Sequence, residues 1–317
     1  MADIDEASLL TAADDSFHAP PDDGIWWTET SWYGFDVPER RLSGAFYPLF
    51  RPNLGVCSLA VHVWDDTGDT PWDALYSRLL FHVPMPAGDL TKLELEGLNY
   101  TTVEPLHRYQ VGFADGEYLE LDLEYTGYRA PAVSTTQVPS GIKVVSHFDQ
   151  TCAVRGQITV AGERIDVDVI GHRDRSWYHR PDNRTRRSAS LCFGDLSPDD
   201  GFVFFRALTL LGSGPDGGAV GGHLLRDGVS APIAAASRRV VERVNGRPRR
   251  YEIALEDTLG RTLGAEGRAL NNFAFQCSPP VFAWFSLIEW TTDHGTYYGE
   301  DQEAHSSRNT RTELAAP

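Results

Sequence analysis

The chain contains little basic charge and no long hydrophobic segment. Lysine and arginine number 28 against 45 aspartates and glutamates, and the formal net charge is -17. Nucleic-acid binding depends mainly on basic side chains that displace counterions, so this composition argues against a nucleic-acid partner. The longest strongly apolar run, VFAWFSLI from Val281, is too short to span a bilayer, and the N-terminus lacks the basic and apolar regions of a secretory signal. We therefore expect a cytoplasmic protein without membrane insertion.

Cysteine is also scarce, and the sequence patterns of the common metal and cofactor sites are missing. The four cysteines are scattered without a CxxC spacing, so we expect buried, reduced thiols at Cys57, Cys152, Cys192 and Cys277. The chain has no HxH or HExxH pair, no Walker lysine loop, no GxSxG elbow and no GxGxxG that leads from a strand into a helix. The sequence therefore predicts neither a metal nor a cofactor.

Turn-forming residues are abundant, and they separate short runs of alternating polarity. Turns such as ADGE, VAGE and VNGR supply the positive backbone angles of tight hairpins. In RYQVGFADGEYLELDLEY, residues 108–125, apolar side chains occupy every second position on both sides of the turn. Helical periodicity is hard to find, and its best candidate is APIAAASRRVVERV, residues 231–244. The pattern predicts an all-β protein of the sandwich or barrel class.

The length of 317 residues favours two β domains rather than one. The stretch YRAPAVSTTQVPSGIK is rich in proline, serine and threonine and lies between two predicted hairpins, as a domain boundary would. We therefore predict an N-terminal domain over residues 1–139 and a C-terminal domain over residues 140–317, with the seam near Pro139.

One segment, GHRDRSWYHR at 171–180, concentrates basic and aromatic side chains in this acidic chain. If the alternation of the preceding strand continues, Arg175 and Trp177 lie on one face and project into a barrel lumen. Asp174 and Ser176 then lie on the opposite face. A solvated strand end, with Asp174 paired to a neighbouring arginine, is the alternative interpretation.

A guanidinium group buried in a lumen requires an acidic partner. The segment LIEWTTDHGTYYGE, which ends at residue 300, offers three candidate acids: Glu289, Asp293 and Glu300. Glu289 and Asp293 are also candidate proton donors, although a terminal strand with surface charge explains the same pattern.

Two further stretches combine acids with aromatic or imidazole groups. WWTETSWY places Trp27, Trp32 and Tyr33 around Glu29, which suits either a carbocation site or core packing at a domain seam. HFDQ, residues 147–150, sets an imidazole two positions before a carboxylate, which suits either an oriented general base or a polar strand edge.

The stretch GQITVAGERIDVDVIGHRDRSW resembles the G-x-I-x-V…G-x-R-D-x-S-W signature of bacterial proteins related to carotenoid 1,2-hydratase, kievitone hydratase and fungal Diels-Alderase-type cyclases. The segment from WWTETSWYGF to PNLGV resembles the opening of the same group. The resemblance implies two lipocalin-like β-barrel domains in tandem with an apolar ligand site. In those hydratases a histidine precedes the matching tryptophan by two positions, where this chain has Arg175. Their presumed acid on the next strand matches GFVFFRALTL, which has Phe204 but no acid.

The resemblance supports two hypotheses. One is a cofactor-free hydratase, cyclase or isomerase for a hydrophobic terpenoid- or steroid-like molecule, with Asp174, Glu289 or Asp293 as catalytic acid. The other is a carrier or accessory protein for such a ligand, with Arg175 anchoring a ligand oxygen. The sequence leaves the oligomeric state open. In both hypotheses the expected ligand contacts are Arg175, Trp177, Trp27, Glu29, Trp32, Tyr33, Phe204 and Trp290.

Overall fold

The computed structural model describes residues 10–137, 143–180, 188–208, 219–278 and 281–306. They form antiparallel β-strands almost throughout, so the predicted all-β class is confirmed. Short 3-10 turns occur at Ala12–Asp15, Pro38–Arg40 and Pro52–Leu54. The chain forms two compact units, the first comprising residues 1–37, 44–63 and 75–180, and the second comprising residues 38–43, 64–74 and 181–317.

The first unit is built on an open sheet of eleven strands. They are β1 (Trp27–Val37), β2 (Leu42–Arg51), β3 (Val56–Trp64), β4 (Tyr76–Pro84), β5 (Lys92–Leu95), β6 (Leu98–Glu104), β7 (Arg108–Asp115), β8 (Leu119–Gly127), β9 (Ala132–Gln137), β10 (Lys143–Val160) and β11 (Glu163–His179). The spatial order is β4-β3-β2-β1-β11-β10-β8-β7-β6-β5, and β9 also pairs with β10. Strand β11 therefore lies in the middle of the sheet, between β1 and β10.

The alternation in the sequence sets which side chains of this sheet are buried. On β7, Tyr109, Val111 and Phe113 are buried, and every second residue of β8 from Leu119 onward is buried as well. The β10–β11 hairpin turns at Ala161–Gly162, where both residues have positive φ. A tight turn of this type keeps the register continuous along β10 and β11.

The predicted domain seam at Pro139 lies outside the described residues. The GHRDRSW segment was expected in the C-terminal domain, but it belongs to the first unit. The reason is strand pairing, because β11 pairs with β1 and β10 pairs with β8, which ties residues 143–180 to the N-terminal sheet.

The second unit contains nine strands. They are β12 (Ser188–Ser197), β13 (Asp200–Leu208), β14 (Ala219–Arg226), β15 (Val229–Val244), β16 (Arg247–Asp257), β17 (Thr262–Ala269), β18 (Phe273–Ser278), β19 (Val281–Thr292) and β20 (Gly295–Ser306). Because β17 also pairs with β19, eight of them close into a ring in the order β17-β16-β15-β14-β13-β12-β20-β19. The remaining strand, β18, pairs with the first part of β19 and is not part of the ring. The two sheets match the predicted tandem of lipocalin-like domains.

The lumen of the closed barrel is packed with its own side chains. A single apolar cluster draws residues from every strand of the ring, and it includes Phe202, Phe204, Tyr251, Trp290 and Tyr297. Phe204 and Trp290 are fully buried within it. Burial of this many aromatic side chains is a major source of stability for the barrel.

Strand β15 carries the segment that had the best helical pattern in the sequence. Its Arg238 contacts Asp301 at 2.7 and 2.5 Å and Glu303 at 2.6 Å, and both acids lie on β20. In the ring, β15 and β20 are four strands apart in either direction, so these ion pairs cross the lumen. Arg238 therefore points inward from β15, on the same side as Ala236 and Val240, which pack against the luminal cluster.

Three cysteines, Cys57, Cys152 and Cys192, carry buried thiols, whereas the side chain of Cys277 is not among those described. Within the described residues, no helix has the length and apolar character needed to cross a membrane.

The cross-lumen ion pair yields a stability prediction. Replacing Arg238 by Met leaves Asp301 and Glu303 buried with less compensating charge, and we expect a loss of about 3 to 5 kcal/mol in the free energy of unfolding. The control is Arg239→Met, because Arg239 pairs with Glu252 on the surface and its loss should cost under about 1 kcal/mol. Urea unfolding followed by circular dichroism measures both, and equal losses in the two variants would contradict the assignment.

Candidate functional site

Strand β11 is buried on both faces along the GHRDRSW segment. Its alternation places Arg173, Arg175 and Trp177 on one face and His172, Asp174 and Ser176 on the other. Directly opposed residues of an antiparallel pair share a face, which assigns the residues of β1 and β10 as well. We call the first face the strap face, with Glu29, Ser31, Tyr33, Phe148 and Gln150. We call the second the acid face, with Thr30, Trp32, His147 and Asp149.

The strap face is covered by the N-terminal strap, residues 10–18. Asp15 of the strap accepts a hydrogen bond from Arg173 at 2.9 Å, and both side chains are fully buried. Its second carboxylate oxygen accepts hydrogen bonds from the Tyr109 hydroxyl at 2.8 Å and the Leu106 backbone amide at 2.5 Å. The Arg173 guanidinium lies 3.8 Å from the centre of the Tyr109 ring. The charge of each partner is thus neutralised within the fold.

Arg175 is neutralised on the same face. It donates to Glu29 at 2.9 Å and to the carbonyl oxygens of Ser16 and Thr30, each at 2.9 Å. Glu29 also contacts His18 of the strap, whose ring stacks on Trp177 with 4.1 Å between the ring centres. The pairing partners predicted for Arg175 at the C-terminus are therefore wrong, because β1 is its hydrogen-bonded neighbour and brings Glu29 to it.

Several predicted ligand contacts are core residues of this face. Trp27 and Trp177 pack against Phe148 and Leu10 in one apolar cluster, so the strap occupies the space that was expected to be a lumen. Tyr33 packs against Tyr100, Tyr109 and Tyr125. Within the described residues, Arg175 and Trp177 share a face but have a protein segment over them.

The acid face holds a carboxylate bound between two imidazoles. One carboxylate oxygen of Asp149 is hydrogen-bonded to His147 Nε2 at 2.9 Å, and the other is hydrogen-bonded to His172 Nε2 at 3.0 Å. Asp149 and His172 are almost completely buried, whereas 17% of the His147 side chain stays exposed. Asp149 lies directly opposite Asp174 across the β10–β11 pair. The face therefore carries two neighbouring carboxyl groups in different surroundings.

Those surroundings move the pKa values of the two carboxyl groups apart. Burial disfavours ionisation of Asp149, but the two imidazoles outweigh it and hold its pKa well below the usual range. Burial raises the pKa of Asp174; His147 opposes this rise and the charge of Asp149 adds to it. A pair of acids with pKa values displaced in opposite directions is the arrangement that lets one remain ionised while the other donates a proton.

Aromatic and hydroxyl groups lie on the same face of the sheet as Asp174. Trp32 is its direct neighbour on β1 and packs edge-to-face on Tyr47, with 5.5 Å between the ring centres. Arg180 donates to the Tyr47 hydroxyl at 3.1 Å and to the Ser176 hydroxyl, and its guanidinium lies over the Tyr178 ring. Asp174, Tyr47, Tyr178 and Arg180 are half-buried, so this side of the sheet is accessible at its margin.

The two acids predicted near the C-terminus lie in the second unit, on the outside of its barrel or in a turn. Glu289 alternates with the luminal residues Ile288 and Trp290, and it pairs with Arg268 at 2.9 Å. Asp293 is exposed in the turn between β19 and β20. Among the predicted catalytic acids, Asp174 is the one that shares a face with aromatic and imidazole groups.

The sequence pattern did not assign a role to His172, Tyr47 or Arg180. The spacing of His172, Asp174 and Ser176 at every second position was the available signal for one shared face. No signal was available for Tyr47, because its place beside the acid face depends on the pairing of β2 with β1. Within the described residues, no group of three or more histidine, cysteine or acidic side chains is arranged to hold a metal ion.

Comparison with known proteins places the chain in a family. Residues 11–299 match the model of the domain of unknown function DUF7064, so the chain belongs to that family. No curated protein sequence matches it.

Solved structures with low sequence identity share the fold. A putative AttH from Nitrosomonas europaea is 14% identical, with 88% of this chain and 91% of that chain covered and a TM-score of 0.62. Kievitone hydratase from Nectria haematococca is 9% identical, with 95% and 94% covered and a TM-score of 0.59. CghA, also solved with Sch210972, is 11% identical, with 90% and 89% covered and a TM-score of 0.60. The resemblance inferred from the motifs is confirmed at the level of the fold.

The contact between His147 and Asp149 predicts a pH dependence of stability. Burial opposes protonation of His147, but Asp149 outweighs it and raises the pKa of His147 to about 9. The stabilisation is complete below the ordinary pKa of about 6.5 and is lost as the pH rises through about 9, a loss on the order of 3 kcal/mol.

Urea unfolding at pH 6 and pH 10 measures this loss. We expect His147→Gln to abolish most of the difference between the two pH values, whereas His294→Gln, in an exposed turn, should retain it. An unchanged pH difference in His147→Gln would show that the contact with Asp149 does not govern this titration.

Proposed function

We propose that this protein is an acid-base enzyme of the hydratase, cyclase or isomerase type, and that its substrate is a hydrophobic terpenoid- or steroid-like molecule. The observation that carries the proposal is the acid face, where Asp174 combines a raised pKa with an aromatic neighbour, Trp32. The fold shared with kievitone hydratase and CghA is compatible with it. The substrate class comes from the sequence resemblance and stays a proposal.

In the proposed reaction, neutral Asp174 donates its proton to one carbon of an alkene. The electron pair of the double bond forms the new C–H bond, and the neighbouring carbon becomes cationic. The faces of Trp32 and Tyr47 can stabilise this cation, and so can the negative charge that remains on Asp174. Asp149, held ionised by two imidazoles, adds to the negative potential.

The cation then has three fates, which correspond to the three reaction types. Water adds in a hydratase, a nucleophilic group of the same molecule adds in a cyclase, and a neighbouring proton is lost in an isomerase. In each case the released proton returns to the Asp174 carboxylate, which restores the starting state without a further reactant.

Two observations weigh against the carrier hypothesis with Arg175 as the anchor. Arg175 was the proposed anchor for a ligand oxygen, but its two terminal nitrogens already donate to Glu29 and to the carbonyl oxygens of Ser16 and Thr30. The closed barrel has its lumen filled by an apolar cluster and crossed by Arg238. Both observations favour the acid face over these two places as the site for a ligand.

The test is deuterium incorporation from solvent. The protein is incubated in D2O with a panel of terpenoid and steroid alkenes, because hydration, cyclisation and isomerisation by protonation each attach a solvent hydrogen to carbon. We expect Asp174→Asn to reduce incorporation at least a hundredfold while ligand affinity stays within about threefold. The matched control is Asp168→Asn on the same strand, since Asp168 is surface-exposed and should retain full turnover.

Each part of the proposal has an outcome that contradicts it. Full turnover in Asp174→Asn would remove Asp174 as donor. Tight binding of panel compounds without any incorporation by the unaltered protein would support a carrier instead. Glu289→Gln and Asp293→Asn should behave like the control, because both side chains lie on the outside of the second unit or in its turn.

A further inference from the structure

Arg173 and Arg175 differ from Arg180 in how their charge is balanced. Arg173 pairs with Asp15 and Arg175 pairs with Glu29, each at 2.9 Å. Within the described part of the chain, Arg180 has no carboxylate within ion-pair distance. Its terminal nitrogens bind two neutral hydroxyls, those of Tyr47 and Ser176.

Arg180 also retains unused hydrogen-bonding capacity. Its Nε atom is buried and has no hydrogen-bond partner among the described residues, as is also true of Arg173 and Arg175, but Arg180 has no carboxylate partner on its terminal nitrogens either. A buried guanidinium donor without an acceptor is costly, so this position gains from any oxygen atom that approaches it. Arg180 is half-buried, and so are the neighbouring Tyr47 and Tyr178. A ligand oxygen can therefore approach the guanidinium from solvent.

The position of Arg180 relates it to the proposed acid. Ser176, whose hydroxyl accepts a hydrogen bond from Arg180, lies two residues from Asp174 on the same face of β11. The positive charge of Arg180 is close enough to act on the pKa of the Asp174 carboxyl, which it lowers. Asp174 is not among its ion-pair partners, so the two groups can contact different atoms of one ligand. The Ser176 hydroxyl is also hydrogen-bonded to that of Thr30, 2.6 Å away, and this chain of hydroxyls holds the guanidinium near the end of β11.

We propose that Arg180 and Tyr47 form an oxygen clamp, and that the substrate of the acid face is a hydrophobic molecule with an oxygen that carries full or developing negative charge. Such an oxygen belongs either to a carboxylate or to a carbonyl conjugated with the reacting double bond. In the second case the two steps of the proposed reaction occur in the reverse order: the nucleophile adds to the β-carbon, and the electrons of the double bond move onto the oxygen, whose negative charge lies against the guanidinium. Neutral Asp174 then protonates the α-carbon, and the proton released by the nucleophile returns to its carboxylate. This inference rests on the proposed function for the identity of the site, but ligand binding alone tests it.

The test uses one isoprenoid skeleton with three head groups. Dissociation constants of farnesoic acid, farnesal and farnesol are measured by isothermal titration calorimetry with the full chain, and quenching of tryptophan fluorescence serves as a second readout. We expect the acid or the aldehyde to bind at least tenfold more tightly than the alcohol, because a hydrogen bond to a charged donor exceeds one between neutral groups. Preference for the acid indicates a carboxylate ligand, and preference for the aldehyde indicates a conjugated carbonyl.

Variants at the clamp separate it from general damage to the fold. Arg180→Met should bring the three constants within about threefold of one another, and Arg180→Lys should keep part of the preference because the charge remains. The control is Arg155→Met, whose side chain is exposed and pairs with Asp168, and it should leave the preference intact. Thermal unfolding of each variant establishes that it is folded.

Two outcomes would overturn the clamp. One is a wild-type protein that binds no member of the series or binds all three equally, and the other is an unchanged preference in folded Arg180→Met. A clear head-group preference without deuterium incorporation from any panel alkene would keep the clamp and remove the enzyme proposal, so the two failures are distinguishable.

Discussion

The structure of the first unit depends on one constraint: strand β11 is buried on both faces and carries ionisable side chains on both. Charge in such a place must be neutralised by a neighbour or removed by a shift in protonation. Arg173 and Arg175 follow the first route, with Asp15 and Glu29 as partners. Asp174 follows the second, since burial raises its pKa. The concentration of charge in GHRDRSWYHR thus has a different explanation on each face of the strand.

The strap face shows how this constraint connects distant parts of the chain. The strap residues Asp15 and His18 are more than a hundred positions from β11, yet Asp15 pairs with Arg173 and the ring of His18 stacks on Trp177. Removing the strap would leave two guanidinium groups buried without their full set of acceptors. The strap is therefore part of the core of the first unit. It covers one face of β11, and the pairing of β11 with β1 and β10 places Asp174 on the opposite face.

Much of this could be predicted from sequence, because alternation is a local property. The alternation through 165–177 gave the correct faces of β11, and no bulge interrupts its pairing with β1 or β10. The partner of Arg175 could not be predicted, since pairing β1 with β11 joins residues 146 positions apart. The weak helical pattern of 231–244 has a related origin, because β15 sends Arg238 across the barrel lumen and so has a polar residue where alternation alone would place an apolar one. In both places the role of the arginine depends on contacts between strands that are distant in sequence.

The resemblance pointed to the position of Arg175, where related hydratases have a histidine, and to an acid on the following strand. In this chain that position serves the ion pair with Glu29, and the matching strand supplies Phe204 to the core of the barrel. The groups suited to acid-base chemistry lie one residue away on β11, at Asp174, and a one-residue step along a strand reverses the face. Histidines are still present on that face, where His147 and His172 bind Asp149. The proposed chemistry thus keeps the residue types of an acid-base site but uses the opposite side of the same sheet.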